Sequence, residues 1–176
     1  IIFTKSKEAA ERVMENITKF IEKKLRLKVN RKKSKVDRPW RIKYLGFSFY
    51  QSKGKVEIRI DPKSIEKFKD KIRKITSRSN AMSMETRFLK LRQVIRGWVN
   101  YFKIANMKSI AQKLDEWIRR RIRMCYWKQW KKIKTKYDNL VRLGIEHDKA
   151  WQFANTRKSY WRISNSPILA KSLNNK

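Results

Sequence analysis

The sequence predicts an α+β fold, with helix, strand and β-hairpin mixed up to about residue 61 and almost pure helix beyond it. Three observations predict this. Apolar residues recur at three- and four-residue spacing through most of the chain, they alternate at two-residue spacing just before residue 61, and Asp61-Pro62 separates the two patterns. Hydrophobic residues at 40% and aromatic residues at 12% supply enough apolar surface for a core despite 36% charged residues.

Ile1-Ile2-Phe3-Thr4 reads as an apolar strand with neither an initiator Met nor a preceding turn, as though the chain starts inside a larger fold. Ser6 can cap a helix whose positions Ala10, Val13, Ile17, Phe20 or Ile21, and Leu25 make one face that is expected to be buried. Leu27-Lys28-Val29-Asn30 leads from that helix into a basic loop at 31–35. Pro39 then disfavours helix at Arg38. Tyr44, Leu45, Phe47 and Phe49 form one arm of a β-hairpin, Ser52-Lys53-Gly54 its turn, and Val56, Ile58 and Ile60 alternate with charged residues on the returning arm, so one face should be wet.

Asp61 as N-cap and Pro62 at the first helical position start a helix with a stripe of Ile65, Phe68, Ile72 and Ile75, ended by the polar run at 77–80. A second helix from about Met84 to Ile104 carries Phe88, Leu91, Ile95, Trp98 and Phe102. A third from about Lys108 to Ile133 carries Ile110, Leu114, Trp117 or Ile118, Ile122 and Cys125, and three such stripes can close a bundle. A short helix ends near Gly144, another spans 146–154, and the stretch through Ser166-Pro167 is expected to be irregular. No internal repeat is evident. The expected organisation is therefore 1–61, 62–155, and a basic irregular tail at 156–176.

With 48 Lys+Arg against 15 Asp+Glu, the formal charge is +33 and the pI about 10.7. A compact chain carries such a charge against strong self-repulsion unless a polyanion neutralises it, and that polyanion is most simply nucleic acid. No lipidation signal stands at either end to favour a membrane surface, and no apolar run approaches the roughly 18 residues of a membrane span. One cysteine, Cys125, excludes an internal disulfide, and one histidine, His147, excludes a two-histidine metal site. A soluble, cytoplasmic protein is expected.

Template copying or two-metal nuclease chemistry needs close carboxylates that hold Mg²⁺ against phosphate oxygens. Here the acids are scattered. Asp115-Glu116 is the adjacent pair, but helix neighbours diverge by about 100°, and Arg119, Arg120 and Arg121 follow at once, so surface ion pairing is the favoured reading. No catalytic residue and no metal site is expected in this chain. Cations and rings remain. Residues 117–132 place Arg119, Arg120, Arg121, Arg123, Lys128, Lys131 and Lys132 beside Trp117, Tyr126, Trp127 and Trp130, and the excess extends to Arg157, Lys158 and Lys171. Guanidinium groups bind phosphate bidentately and flat rings stack on unpaired bases, as looped RNA is held. Trp98, Trp117 and Trp130 also fall at core spacing, which leaves packing as the alternative.

Several segments, in this order, resemble the C-terminal half of group II intron reverse transcriptase/maturases. Leu27-Lys28-Val29-Asn30-Arg31-Lys32-Lys33-Ser34-Lys35 resembles that family's loop after the palm helix. Tyr44-Leu45-Gly46-Phe47-Ser48-Phe49 resembles its primer-grip hairpin, and Arg96-Gly97-Trp98-Val99-Asn100-Tyr101-Phe102 the signature of its maturase-specific domain, also called domain X or the thumb. Tyr160-Trp161-Arg162-Ile163-Ser164-Asn165-Ser166-Pro167 looks like the stretch that follows in many bacterial members. The run at 96–102 discriminates against retron-type enzymes. Its Gly97 permits close approach of RNA or another backbone, with helix–helix packing the alternative.

The resemblance implies a palm remnant at 1–61 and a helical thumb/maturase domain at 62–155. Residues 1–4 look like the strand after the family's Tyr-Ala-Asp-Asp motif, which would put the catalytic aspartates before residue 1. The parent would then be an Mg²⁺-dependent RNA-directed DNA polymerase and splicing factor of a bacterial intron, while this chain alone holds RNA and does not polymerise. Lys33 matches a lysine near the incoming nucleotide, and Tyr44, Leu45, Gly46 and Phe47 would grip the primer. Arg96 and Lys103, with the cations of 119–132, Arg157 and Lys158, would hold intron RNA or the template–primer duplex. DNA is a further possible partner, as is the missing N-terminal palm or another copy of the chain. The rival reading is an unrelated basic RNA-binding or ribosome-associated module with no polymerase parent.

Overall fold

The computed structural model describes residues 1–52 and 54–174. Lys53, placed in the expected hairpin turn, lies outside the described residues, as do Asn175 and Lys176. The chain divides into two compact units, Ile1–Asp61 and Pro62–Lys176.

In the first unit, α1 (Lys7–Lys23) starts where Ser6 Oγ accepts the Ala9 N–H at 3.1 Å, satisfying one of the donors a helix start leaves open. Its apolar stripe is not buried as expected. No residue of α1 is buried, Phe20 is 52% exposed, and Val13, Met14 and Ile21 are only half-covered, because the sheet of this unit does not close over that face. Ile1, Ile2 and Phe3 are likewise exposed and not in a strand, since a strand needs a neighbour to complete its ladder.

The sheet is antiparallel with order β1 (Lys43–Tyr44), β2 (Phe47–Ser52), β3 (Lys55–Ile60), preceded by a 3-10 turn at Pro39–Arg41. It holds two hairpins where the sequence shows one. Leu45 and Gly46, expected in an extended arm, instead form the β1–β2 turn with φ of 48° and 83°, the left-handed pair that suits strand twist. The β2–β3 register pairs Phe47 with Ile60 and Ser52 with Lys55. Along β3 the expected alternation holds from half-buried Ile58 through exposed Arg59 to buried Ile60, and fails at Val56, which is exposed beside half-buried Glu57. The end of β3 is tied back to the first turn by Asp61, whose N–H donates to Gly46 O at 2.9 Å and whose carboxylate pairs with Lys43 Nζ at 2.7 Å.

The second unit is helical: α2 (Pro62–Ile75), α3 (Met84–Phe102), α4 (Lys108–Gln129), α5 (Ile133–Arg142), α6 (His147–Ala154), α7 (Tyr160–Ile163) and α8 (Pro167–Ser172). One core joins Phe68 and Ile72 of α2, Leu91 of α3, and Leu114 and Ile118 of α4, with Trp98 and Trp117 packed against it. The Phe68 and Trp98 rings stack with centroids 4.4 Å apart, a contact worth about 0.5–1.5 kcal/mol beyond burial. A second core gathers Trp127 and Trp130 with Leu140, Ile145, Ala150, Ile163 and Leu169.

The segment expected to be irregular therefore supplies two core residues. Ser166 and Pro167 start α8 as N-cap and first helical residue, with the Leu169 N–H donating to Ser166 Oγ at 3.4 Å, so the pair read as a breaker is a helix start. The third long helix stops at Gln129 rather than 133, because Trp130 leaves helical geometry and turns into the second core.

At the end of α5 the chain makes a Schellman cap. Gly144 (φ 84°) donates to Val141 O at 2.9 Å and Ile145 to Leu140 O at 3.0 Å, while Leu140 and Ile145 meet in the core. A methyl group added at Gly144 or at Gly97 meets no atom within 4 Å, so only backbone preference separates the two substitutions. Gly144→Ala is expected to cost about 1–2 kcal/mol and Gly97→Ala, inside α3, to gain about 0.5–1 kcal/mol. Urea unfolding should move their midpoints in opposite directions.

Candidate nucleic-acid interface

The C-terminal end of α2 points carbonyl groups with no helical partner toward α3 and α4. They are met by guanidinium groups. Arg87 of α3, 5% exposed, donates to the carbonyls of Ile75 (2.6 Å), Ser77 (3.0 Å), Asn80 (3.1 Å) and Met82 (3.2 Å), fixing the whole α2–α3 connection. Arg121 of α4 donates to Thr76 Oγ1 at 2.5 Å and to the carbonyls of Thr76 (3.3 Å) and Arg73 (3.4 Å). Burial, with the like charge of Arg73, pulls the Arg121 guanidinium below its ordinary pKa, a measure of what holding a cation there costs. The Cys125 thiol sits 3.4 Å from Thr76 O and is pushed up by burial, which leaves it unreactive.

The arginine row of α4 is thus largely committed within the chain. Arg119 pairs with Asp115 at 2.6 Å across one helical turn. Arg120 donates to Trp161 O at 2.9 Å and lies 3.9 Å from the Trp161 ring centroid. Arg123 donates to Ser164 O at 2.9 Å, its pKa lowered by burial and by Arg119 and Arg120. Arg120 and Arg123 therefore pin α7 to α4. Asp115 and Glu116 do not converge on one point, for Glu116 Oε1 faces Gln112 Nε2 at 3.4 Å.

The other cations selected from the sequence are more open. Arg96 and Lys103 are exposed on or just past α3, Lys131 and Lys132 in the α4–α5 link, and Arg157 and Lys158 between α6 and α7. Lys128 is half-buried with its Nζ 5.1 Å from the Tyr160 ring. Of the rings, Trp127 (2% exposed) and Trp130 belong to the second core, while Trp98 and Trp117 edge the first, so the packing alternative describes them. Gly97 is exposed and has no packing neighbour among the described residues, which removes helix–helix packing within this chain as its explanation.

In the first unit, Lys33 stands exposed in a turn closed by its N–H on Asn30 O at 3.0 Å and Asn30 Oδ1 at 3.2 Å. Tyr44 and Leu45 are exposed at the β1–β2 turn, Gly46 is half-buried, and Phe47 is buried. Among the described residues no group of His, Cys, Asp and Glu is arranged to hold a metal ion, and no helix is long and apolar enough to cross a membrane.

Sequence reasoning missed two adjoining clefts of the second unit. One of about 440 Å³ is lined by Arg73, Ser77, Arg78, Arg121, Met124, Ser159 and Trp161; the other, about 290 Å³, by residues of 78–87 together with Cys125, Lys128, Gln129 and Lys131. Arg78 lines both. The polar run at 77–80 marked it only as a helix stop. The Arg87 network yields a clear outcome for stability: Arg87→Ala should destabilise by at least about 2–3 kcal/mol through carbonyls left without donors, against under about 0.5 kcal/mol for Arg96→Ala. Thermal unfolding of the two variants checks it.

Residues 65–144, from the first residue of the α2 stripe to the Schellman glycine, match the family model described as group II intron, maturase-specific domain. No curated protein matches the chain. A domain of this family implies a part in intron splicing and binding to intron RNA. The cationic helical unit built around the α2 terminus thus carries, over residues 65–144, the maturase-specific domain of group II introns.

Proposed function

We propose that this chain binds the RNA of its host intron through the second unit and assists splicing by holding that RNA in its folded form. The observation that carries this reading is the charge of +33 on a chain whose second unit, with its maturase-specific domain at 65–144, leaves Arg96, Lys103, Lys131, Lys132, Arg157 and Lys158 exposed. Phosphate contacts of that kind give affinity and position, and their free energy comes from released counterions. The family match at 65–144 favours this over an unrelated basic module.

We further read residues 1–61 as the end of a reverse-transcriptase palm. The tight β1–β2 turn, with Tyr44 and Leu45 exposed, would hold a primer end, and Lys33 would face an incoming nucleotide. A template–primer duplex is then a second partner of the exposed cations, and Mg²⁺ a cofactor of the parent enzyme. The 15 acids of the chain are scattered, so polymerisation needs carboxylates that these residues do not bring together.

Two measurements test the proposal. Affinity for intron RNA should fall by roughly 10³–10⁵ between 50 and 200 mM salt if about 6–10 phosphates are contacted; weak, salt-independent binding would overturn it. Primer extension by this chain alone with Mg²⁺ should give no product, and incorporation of nucleotides would overturn the division of labour between binding and catalysis.

A further inference from the structure

The two adjoining clefts of the second unit share one cation, Arg78, and we propose that they form a single phosphodiester-binding track for an unpaired RNA strand, read by Arg78 and Lys128. The inference rests on the RNA-binding reading above and gives it a location.

Most arginines nearby are already spent. Arg87 and Arg121 are held by carbonyls of the α2 terminus, and Arg73 is neutralised by Asp70 at 2.6 Å and Glu66 at 3.6 Å. Arg78 and Lys128 are different. Among the described residues neither has a carboxylate partner, and both converge on one phenol ring, Arg78 at 5.2 Å and Lys128 at 5.1 Å from the Tyr160 centroid. Both also line the narrower cleft. A cation–π contact leaves most of a cation's charge unneutralised, so an anion seated in that cleft would meet two cations that no carboxylate among the described residues compensates.

The lining fits a phosphodiester. Ser77 and Ser159 bring hydroxyls to the wider cleft and Lys131 a further cation to the narrower one, while among the described residues no Asp or Glu lines either cleft. Trp161, still exposed although Arg120 covers one face, lines the wider cleft and offers a ring to the base beside a bound phosphate. The track is also tied into the fold on two sides. Its floor is the α2–α3 connection held by Arg87 and its wall is α7 held by Arg120 and Arg123, so little order must be created on binding.

The test is titration of the full chain with a labelled single-stranded uridine 20-mer over a salt series, for wild type, R78A/K128A and the charge-keeping R78K/K128R. Among the described residues neither side chain makes a hydrogen bond or ion pair, so the alanine variant should unfold at the wild-type midpoint. Loss of two phosphate contacts should lower the salt slope by about 1.4 for a single strand, while R78K/K128R keeps the wild-type slope. Steep wild-type binding with an unchanged slope in R78A/K128A would overturn the track and leave RNA binding standing. Absence of wild-type binding to this RNA and to intron RNA would overturn both. Polyglutamate bound as tightly as RNA, with the same dependence on Arg78 and Lys128, would reassign the track to an acidic protein segment.

Discussion

The second unit is organised around the carbonyl groups at the end of α2, where the helix stops without a glycine and its dipole leaves negative partial charge beside two other helices. Arg87 from α3 and Arg121 from α4 both answer that charge. A guanidinium group presents five donors in a fixed fork, so one side chain can satisfy several carbonyls that point in different directions. Three helices are fixed to one another at that point by polar contacts, and the Phe68, Ile72, Leu91 and Leu114 core closes beside it. Replacing the cations by apolar residues would strand the carbonyls.

The same economy explains how a chain of charge +33 stays folded. Part of the charge is consumed internally, by carbonyls at Arg87, Arg120, Arg121 and Arg123 and by carboxylates at Arg73 and Arg119. Internal use costs desolvation, visible in the lowered pKa of Arg121 and Arg123. The remaining cations stay in water, where repulsion is screened over about 8–10 Å at physiological salt. A dense basic stretch in sequence is therefore two populations in space, one that builds the domain and one that is free to meet phosphate.

Much of the fold was legible in the sequence because caps and stripes are local. Ser6, Pro62 and Gly144 sit where the helix signals place them, and the stripe of Ile65, Phe68 and Ile72 faces a core. Failures arose where a local signal had two meanings. Ser166-Pro167 reads equally as a breaker or as a helix start, and the packing of Leu169 chose the latter. Leu45 prefers extended backbone, yet the pairing of Tyr44 with Phe47 forces it into a left-handed turn. The stripe of α1 predicted a buried face and could not say whether this unit would supply the surface to bury it.

By itself, the sequence determined the charge, the helix periods and the match of residues 65–144 to the maturase-specific domain, since each depends on residue types at fixed spacing. Only the tertiary structure decided which cations are spent and which are open. That choice turns on whether a carbonyl or carboxylate from a distant segment lies within about 3 Å of the guanidinium. Arg121 and Arg78 look alike in the sequence. One is tied to the end of α2 and the other lines both clefts.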